Sequence, residues 1–250
     1  MGAPAWLTAR PIAHRGYHDV SARRIENTLA AAEAAIARNF AIECDLQRTA
    51  DGAVVVFHDD TLDRLTNAAG PVGTRTLAQL RGVRFQDSDA VIPTLDELLD
   101  LVDGRVPLVI EFKSRFGGQR QLEAAAAPIL AGYGGPAAVM SFDPASLTAI
   151  RRLAPALPRG MLGDRFRRAD WPELTPLVRL SAASMIAAVV VLPAFVAYNV
   201  TALPASPPLA LRHFFRLPLL TWTVRSEAER ATAKAWADQI IFEGFDPDAT

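Results

Sequence analysis

Cysteine is almost missing. Cys44 is the one thiol in 250 residues, so no internal disulfide framework can form, and the chain is compatible with a reducing compartment. Any surplus of charge is missing too. The 26 basic and 27 acidic residues leave a formal net charge of −1, and nothing in that balance points to nucleic acid as a partner. Met1 to Arg10 lacks a basic start followed by an apolar run, which argues against a secretory signal and makes the cytoplasm the expected location. No G-x-G-x-x-G follows any apolar run, which disfavours a dinucleotide fold. No linker-like stretch or internal repeat divides the chain, so residues 1–250 read as a single domain.

Charge is absent altogether from Leu180 to Leu211. That length would suit a membrane span, but Pro193, Pro204, Pro207 and Pro208 break it, and Ser181, Ser184, Tyr198, Asn199 and Ser206 dilute it. No transmembrane span is expected. The reading is a buried strand at Ala187–Leu192 followed by a loop, with room for weak membrane or lipid contact over 180–211. The run Asp164-Arg165-Phe166-Arg167-Arg168 reads as a solvated helix start, or as a surface for anionic lipid.

What is present is a regular alternation. Apolar runs at Pro11–Ala13, Ile42–Leu46, Ala53–Phe57 and Val106–Ile110 are followed by others at 137–141, 160–162, 187–192, 219–224 and 239–242. Between them lie helical stretches: Leu29–Arg38 with Asn27 as its expected N-cap, Leu95–Val102 with a Thr94/Glu97 capping box, and further helices near 119–130, 145–153, 171–185, 210–215 and 227–237. Asp51-Gly52 reads as a hairpin-type turn. Residues 59–92 carry turn formers and one weak helix at 77–81, an excursion off the main architecture. Buried strands alternating with helices imply parallel pairing with right-handed crossovers, and about eight of them in 250 residues match a (β/α)₈ barrel.

The first four apolar runs end in ionisable residues: His14-Arg15, Glu43 and Asp45, His58-Asp59, and Glu111 with Lys113. Along Ile42–Leu46 the two acids share one face and Ile42, Cys44 and Leu46 the other, because a strand has period two. Cys44 is therefore a core residue and not a nucleophile. Read singly, each of these is ordinary. A half-exposed strand would carry Glu43 and Asp45, and His58 would be a strand-end surface residue. In a barrel, however, the C-terminal strand ends build one site. Glu43, Asp45 and Glu111 make an oxygen-rich set suited to one hard divalent cation, Mg²⁺ or Ca²⁺. His14 and His58 are candidate acid and base, while Arg15 and Lys113 would neutralise a bound anion, phosphate above all. Metal, imidazole pair and cationic clamp together point to phosphoryl transfer or phosphodiester hydrolysis.

These segments resemble the glycerophosphodiester phosphodiesterase family, a relative of the phosphatidylinositol-specific phospholipase C barrels. The resemblance rests on Ala13-His14-Arg15-Gly16, Glu26-Asn27-Thr28-Leu29, Ile42–Leu46, Thr49–Gly52, Val56–Asp59, Ile92–Glu97, Glu111-Phe112-Lys113, Ser141-Phe142-Asp143 and Trp222-Thr223-Val224. It implies a TIM-type barrel with a small insertion within 59–92. It also implies His14 and His58 as acid and base, metal on Glu43, Asp45 and Glu111, and substrate phosphate on Arg15 and Lys113. Trp222 would pack against the glycerol or alcohol, with Glu26 and Asn27 supporting the rim. The chain departs from the family's pattern at Ile25, where proline is usual, at Arg225, where asparagine is common, and at Phe242-Glu243, where threonine and aspartate are usual.

The implied activity is hydrolysis of a small-molecule glycerophosphodiester to glycerol 3-phosphate and an alcohol. A lysophospholipase D-type lipid phosphodiesterase is the second reading, kept open by the uncharged 180–211 segment. A non-catalytic barrel that only binds a phosphodiester is the third, and the presence of both histidines and all three carboxylates counts against it.

Overall fold

The computed structural model describes residues 2–249 except Asp87, Arg115 and Gly117; of the sequence-based expectations, that leaves only Asp87 of the 59–92 insertion and the two chain ends outside the described residues. Strands and helices alternate as β1 (Ile12–Ala13), α1 (Leu29–Ala37), β2 (Ala41–Arg48), β3 (Val54–Val56), α2 (Leu77–Leu80), α3 (Leu95–Val102), β4 (Leu108–Phe112), α4 (Gln121–Gly132) and β5 (Ala137–Ser141). The second half continues with α5 (Pro144–Leu153), β6 (Arg159–Gly163), α6 (Pro176–Ser184), α7 (Ala188–Val191), β7 (Phe195–Asn199), α8 (Ser206–Phe215), β8 (Leu219–Val224), α9 (Glu227–Trp236) and β9 (Gln239–Phe242). Eight strands pair in parallel in the order β1-β9-β8-β7-β6-β5-β4-β2, and β1 pairs with β2 to close the ring. The expected TIM-type barrel is what forms.

β3 stands outside that ring. The Asp51-Gly52 turn is a hairpin, with Gly52 at φ +95° and the Thr49 amide bonded to the Ala53 carbonyl at 2.9 Å. So short a link cannot cross a sheet, and β3 runs back antiparallel along the overhanging end of β2, Leu46 facing Val56. This return carries His58 down to the barrel mouth. The excursion that follows has its own small core of Phe57, Leu62, Val72, Leu80 and Phe85.

Strand periodicity sorts the side chains. Ile42, Cys44 and Leu46 pack in the layer between strands and helices, while Ile12, Ala41, Val109, Met140, Leu162 and Phe195 fill the barrel interior. Gly160 is needed there, because a Cβ at that position would lie 2.2 Å from the Phe195 ring.

Three local expectations are corrected. Ala187–Leu192 is not a strand: it folds as α7, with Val189 and Val190 exposed, and the barrel strand is Phe195–Asn199. Periodicity cannot separate a short apolar strand from a helical turn, whereas Phe195–Tyr198 has the aromatic and β-branched content that suits a pleated sheet. Asn27 is not the N-cap of α1. Thr28 is, its hydroxyl accepting from the Ala31 amide, and Asn27 at φ +57° turns its side chain inward instead. The Asp164–Arg168 run starts no helix; it is loop, with Phe166 buried and the arginines exposed. The Thr94/Glu97 capping box of α3 forms as expected.

Candidate active site at the barrel mouth

Inward-facing positions at the ends of β2 and β4 place Glu43, Asp45 and Glu111 together. One carboxylate oxygen from each lies within 4.8 Å of the others, and all three residues are buried. Burial and the nearby charges of Asp45 and Glu111 raise the Glu43 carboxyl well above its usual range. Glu111 is pushed up to about 7, chiefly by burial. Asp45 goes the other way: burial opposes its charge, but Lys113, His58 and Arg15 hold it well below the ordinary carboxylate range. Three buried carboxylates all ionise together only with a compensating cation, and an all-oxygen donor set of this kind suits Mg²⁺ or Ca²⁺. The residues fit a hard divalent ion.

Two cations of the chain stand beside this cluster. Lys113 Nζ lies 3.0 Å from both Asp45 Oδ1 and Glu111 Oε1, and despite burial those neighbours hold its pKa above normal. Arg15 sits at φ +57°, its amide donating to Glu43 Oε2 at 2.9 Å and its guanidinium bridging Glu26 at 2.5 Å and Asp45 at 3.6 Å. The next residue, Gly16 at φ +79°, lies so close to α1 that a Cβ would meet the Ala31 backbone at 2.9 Å. That approach fixes where Arg15 points. Asn27 supports the cluster from behind, its Nδ2 donating to Asp45 Oδ2 at 2.8 Å.

Both histidines are held the same way. His14 Nδ1 donates to Glu243 Oε2 at 2.5 Å, leaving Nε2 turned to the cluster, 3.9 Å from Glu43 Oε2. His58 Nδ1 donates to Asp59 Oδ1 at 2.6 Å. A carboxylate on Nδ1 fixes the tautomer and stabilises the imidazolium when it forms. Burial lowers the His14 pKa to about 4 against the opposing Glu243 bond, and burial also lowers that of His58. Near neutral pH His14 is therefore uncharged with a free Nε2, as a proton acceptor must be. Gln47 pins the loop behind His58 by donating to the carbonyls of Phe57, His58 and Asp59. Arg64 ties Asp59 to Glu26, so an unbroken chain of side-chain hydrogen bonds links His58 to Arg15.

The cavity between these groups measures about 240 Å³. His14, Glu43, Glu111, Lys113, Trp222, Asn199 and Arg225 are among the residues that line it. Trp222 stands edge-on to Phe142 with ring centroids 5.6 Å apart, and its indole N–H is buried with no hydrogen-bond partner among the described residues. All eight residues named from the sequence thus meet at one mouth.

Glu243 and Arg225 were legible only as departures from a pattern. The structure makes them a pair: Arg225 Nε donates to Glu243 Oε1 at 2.5 Å, while His14 and His18 approach the other oxygen. Asp59 was read only as part of the Val56–Asp59 segment, with no role of its own, and Arg64 carried no signal. Glu243→Gln removes the anion behind His14, lowers the His14 pKa further and destabilises its imidazolium. The expected result is a kcat about 10²-fold lower with KM little changed. An unaltered kcat would show that turnover does not depend on that carboxylate. Arg15→Lys keeps charge but loses the planar fork shared with Glu26 and Asp45, and kcat/KM is expected to fall by about 10-fold or more. Wild-type kinetics would show that turnover does not need the planar fork.

A closed parallel barrel whose strand ends converge on buried carboxylates and oriented imidazoles is a (β/α)₈ barrel of the kind that builds its active site at the C-terminal rim. Within that class the chain belongs to the glycerophosphoryl diester phosphodiesterase family, whose family model matches residues 14–245. Among curated relatives it is 38% identical over 176 residues to a probable glycerophosphodiester phosphodiesterase 1 of Mycobacterium tuberculosis, an alignment covering 61% of this chain and 63% of that protein. It is 37% identical over 161 residues to a glycerophosphodiester phosphodiesterase of Caldanaerobacter subterraneus, covering 60% and 65%. The chain thus matches just under two thirds of these relatives' length. Among solved structures, a phosphodiesterase from Oleispira antarctica in complex with the product sn-glycerol-3-phosphate aligns with a TM-score of 0.76 at 23% identity, over 94% of this chain and 92% of that one. A glycerophosphoryl diester phosphodiesterase homologue from Silicibacter pomeroyi aligns with a TM-score of 0.75 at 26% identity, over 96% and 91%.

Proposed function

We propose that this protein is a divalent-cation-dependent phosphodiesterase that hydrolyses glycerophosphodiesters to glycerol 3-phosphate and an alcohol. One observation carries the reading: two imidazoles, each fixed through Nδ1 by a carboxylate, border a chamber that also holds three converging buried carboxylates. The names of the curated relatives and the product bound to the Oleispira protein support it.

Glu43, Asp45 and Glu111 would hold the cation, which when bound would neutralise their charge and lower the pKa of a substrate hydroxyl. Arg15 and Lys113 hold the phosphate. His14 Nε2 takes the proton of the glycerol 2-hydroxyl as that oxygen attacks phosphorus. His58 gives a proton to the leaving alcohol as its P–O bond breaks. Water then opens the cyclic phosphate with the two roles exchanged, leaving glycerol 3-phosphate. A purely binding barrel would need neither imidazole oriented in this way.

The test is hydrolysis of glycerophosphocholine with and without EDTA. Activity lost to chelation and restored by Mg²⁺ or Ca²⁺ is the expected result. Full activity in EDTA would remove the cation from the reading, and no hydrolysis under any condition would remove the activity. Among the described residues no helix is long and apolar enough to cross a membrane.

A further inference from the structure

Three strand ends meet behind His14. Ala13, Phe242 and Val224 form one row across β1, β9 and β8, and all three pack in the helix-facing core. Because a strand has period two, the next residue on each, His14, Glu243 and Arg225, turns to the opposite side, toward the barrel mouth. Two backbone bonds keep the row in step. The His14 amide donates to the Phe242 carbonyl at 2.9 Å, and the Glu243 amide to the Val224 carbonyl at 3.1 Å. Arg225 is fixed from its other side, its amide donating to Glu229 Oε2 at 2.7 Å beside the Ser226 capping box of α9. Closure of the barrel therefore sets the order Arg225, Glu243, His14.

Glu243 has two imidazoles near one of its oxygens. Its Oε2 lies 2.5 Å from His14 Nδ1 and 3.5 Å from His18 Nε2. His18 stands on the loop after β1, and its Nε2 is buried with no hydrogen-bond partner among the described residues. A buried polar nitrogen left unpaired costs free energy, so with a proton on Nε2 His18 competes for that oxygen. Glutamate is long and rotamer-rich, and holding it in one conformer opposes its side-chain entropy. The hold comes from Arg225, whose Nε donates to the other oxygen, Oε1, at 2.5 Å. Burial opposes the charge of Glu243, but the neighbouring imidazoles and Arg225 keep its carboxyl well below the ordinary range, so there is an anion to aim.

We propose that Arg225 is a positioning residue for the reaction: by anchoring Oε1 of Glu243 it commits Oε2 to His14 and away from His18. This rests on the reading of His14 as proton acceptor given above. The effect of Arg225 passes through Glu243, so it is felt in turnover and not in substrate affinity. Arg225 also borders the chamber, and a guanidinium that bound the leaving alcohol there would act on KM instead.

The test combines kinetics on glycerophosphocholine, with Mg²⁺ present, and proton spectra of protein carrying isotopically labelled histidine. The chain has four imidazoles, few enough to assign singly. Arg225→Asn is expected to lower kcat about tenfold at unchanged KM, less than Glu243→Gln because the carboxylate itself remains. Arg225→Lys, which keeps a cation at Oε1, is expected to stay within about threefold of the wild type. Adding Arg225→Asn to Glu243→Gln is expected to cost nothing further, since the arginine acts only through the carboxylate. His18→Phe removes the competitor and keeps a ring in its place, and it is expected to return most of the activity lost in Arg225→Asn. In the spectra, the bonded Nδ1 proton of His14 is expected to weaken in Arg225→Asn, while that of His58, held by Asp59, stays. A raised KM at unchanged kcat, an additive loss in the Glu243→Gln background, no recovery with His18→Phe, or a His14 proton unmoved by Arg225→Asn would each overturn the proposal. If the wild type hydrolyses no glycerophosphocholine, the phosphodiesterase reading falls, and the His14 proton alone decides whether Arg225 aims Glu243.

Discussion

Glu43→Gln is expected to lower kcat/KM by roughly 10³-fold, the equivalent of the several kcal/mol of charge stabilisation a bound cation supplies, and at the same time to stabilise the cation-free protein. The two effects have one cause. Glu43 and Glu111 both titrate above their usual 4.5 in the folded chain, Glu111 at about 7. Their contribution to stability is complete below pH 4.5 and is lost as pH rises through the folded-state values, because the folded state then gives up protons it binds more tightly than the unfolded chain does. His14 and His58, both held below their usual values, contribute in the opposite sense over the same window, so the carboxylate effect is read from the difference between the two proteins. In EDTA the advantage of Glu43→Gln over the wild type is expected to be larger near pH 8 than near pH 5. The amide avoids that cost and still accepts from the Arg15 amide. Asp45→Asn is expected to abolish activity equally but to destabilise at neutral pH. Asp45 is held below its usual 3.8 by Lys113, His58 and Arg15, so its contribution is present above that value and lost as pH falls. Thermal unfolding of both variants near pH 8, with and without Mg²⁺, reads these opposite signs. A destabilised Glu43→Gln protein would mean that the three carboxylates do not repel one another as the geometry implies.

The carboxylate pair was legible in the sequence because strand period two leaves no choice: if Ile42, Cys44 and Leu46 face the helices, then Glu43 and Asp45 face the barrel axis. Lys113 and His58 were placed by the rule that strand ends make the site. The rule served although β3 proved antiparallel, since the hairpin returns His58 to the same level. What escaped depends on closure. Glu243 reaches His14 across the β1–β9 junction, 229 residues apart in sequence, and no local pattern predicts that contact. The chain's departures at Arg225 and Glu243 looked independent, but their ion pair makes them one feature. Ala187–Leu192 escaped for a different reason. Alanine and valine in a short uncharged run satisfy either a helical turn or a strand, and tertiary packing gave the ring position to Phe195–Asn199 instead. The assignment of Asn27 as a cap erred because Thr28 meets the same need, which freed Asn27 to hold Asp45.

Blocking the glycerol 2-hydroxyl is expected to cost more than any single side-chain replacement outside the carboxylate cluster. His14 Nε2 faces the chamber 3.9 Å from Glu43, on the side where a hydroxyl bound among the carboxylates would present its proton. His58 is held separately by Asp59 on the insertion side. Two imidazoles fixed on different elements suit a reaction in which one takes a proton while the other gives one. A nucleophile already tethered to the phosphate brings an effective molarity of about 10⁵ M or more, worth about 7 kcal/mol of the barrier, and requires no ordered water in the first step. Glycerophosphocholine methylated at the 2-oxygen keeps the phosphate and head group for which Arg15, Lys113 and Trp222 are the proposed contacts, so it is expected to bind within a few-fold of the parent and inhibit competitively. Its turnover is expected to be at least about 10³-fold slower, since only part of that tethering advantage can be recovered by attack of water. With the unmodified diester, quenching within a single turnover is expected to trap the cyclic glycerophosphate, and His14→Ala to prevent its formation. Equal turnover of the two substrates, with no cyclic species trapped, would show that water attacks phosphorus directly and that His14 serves that water instead of the glycerol.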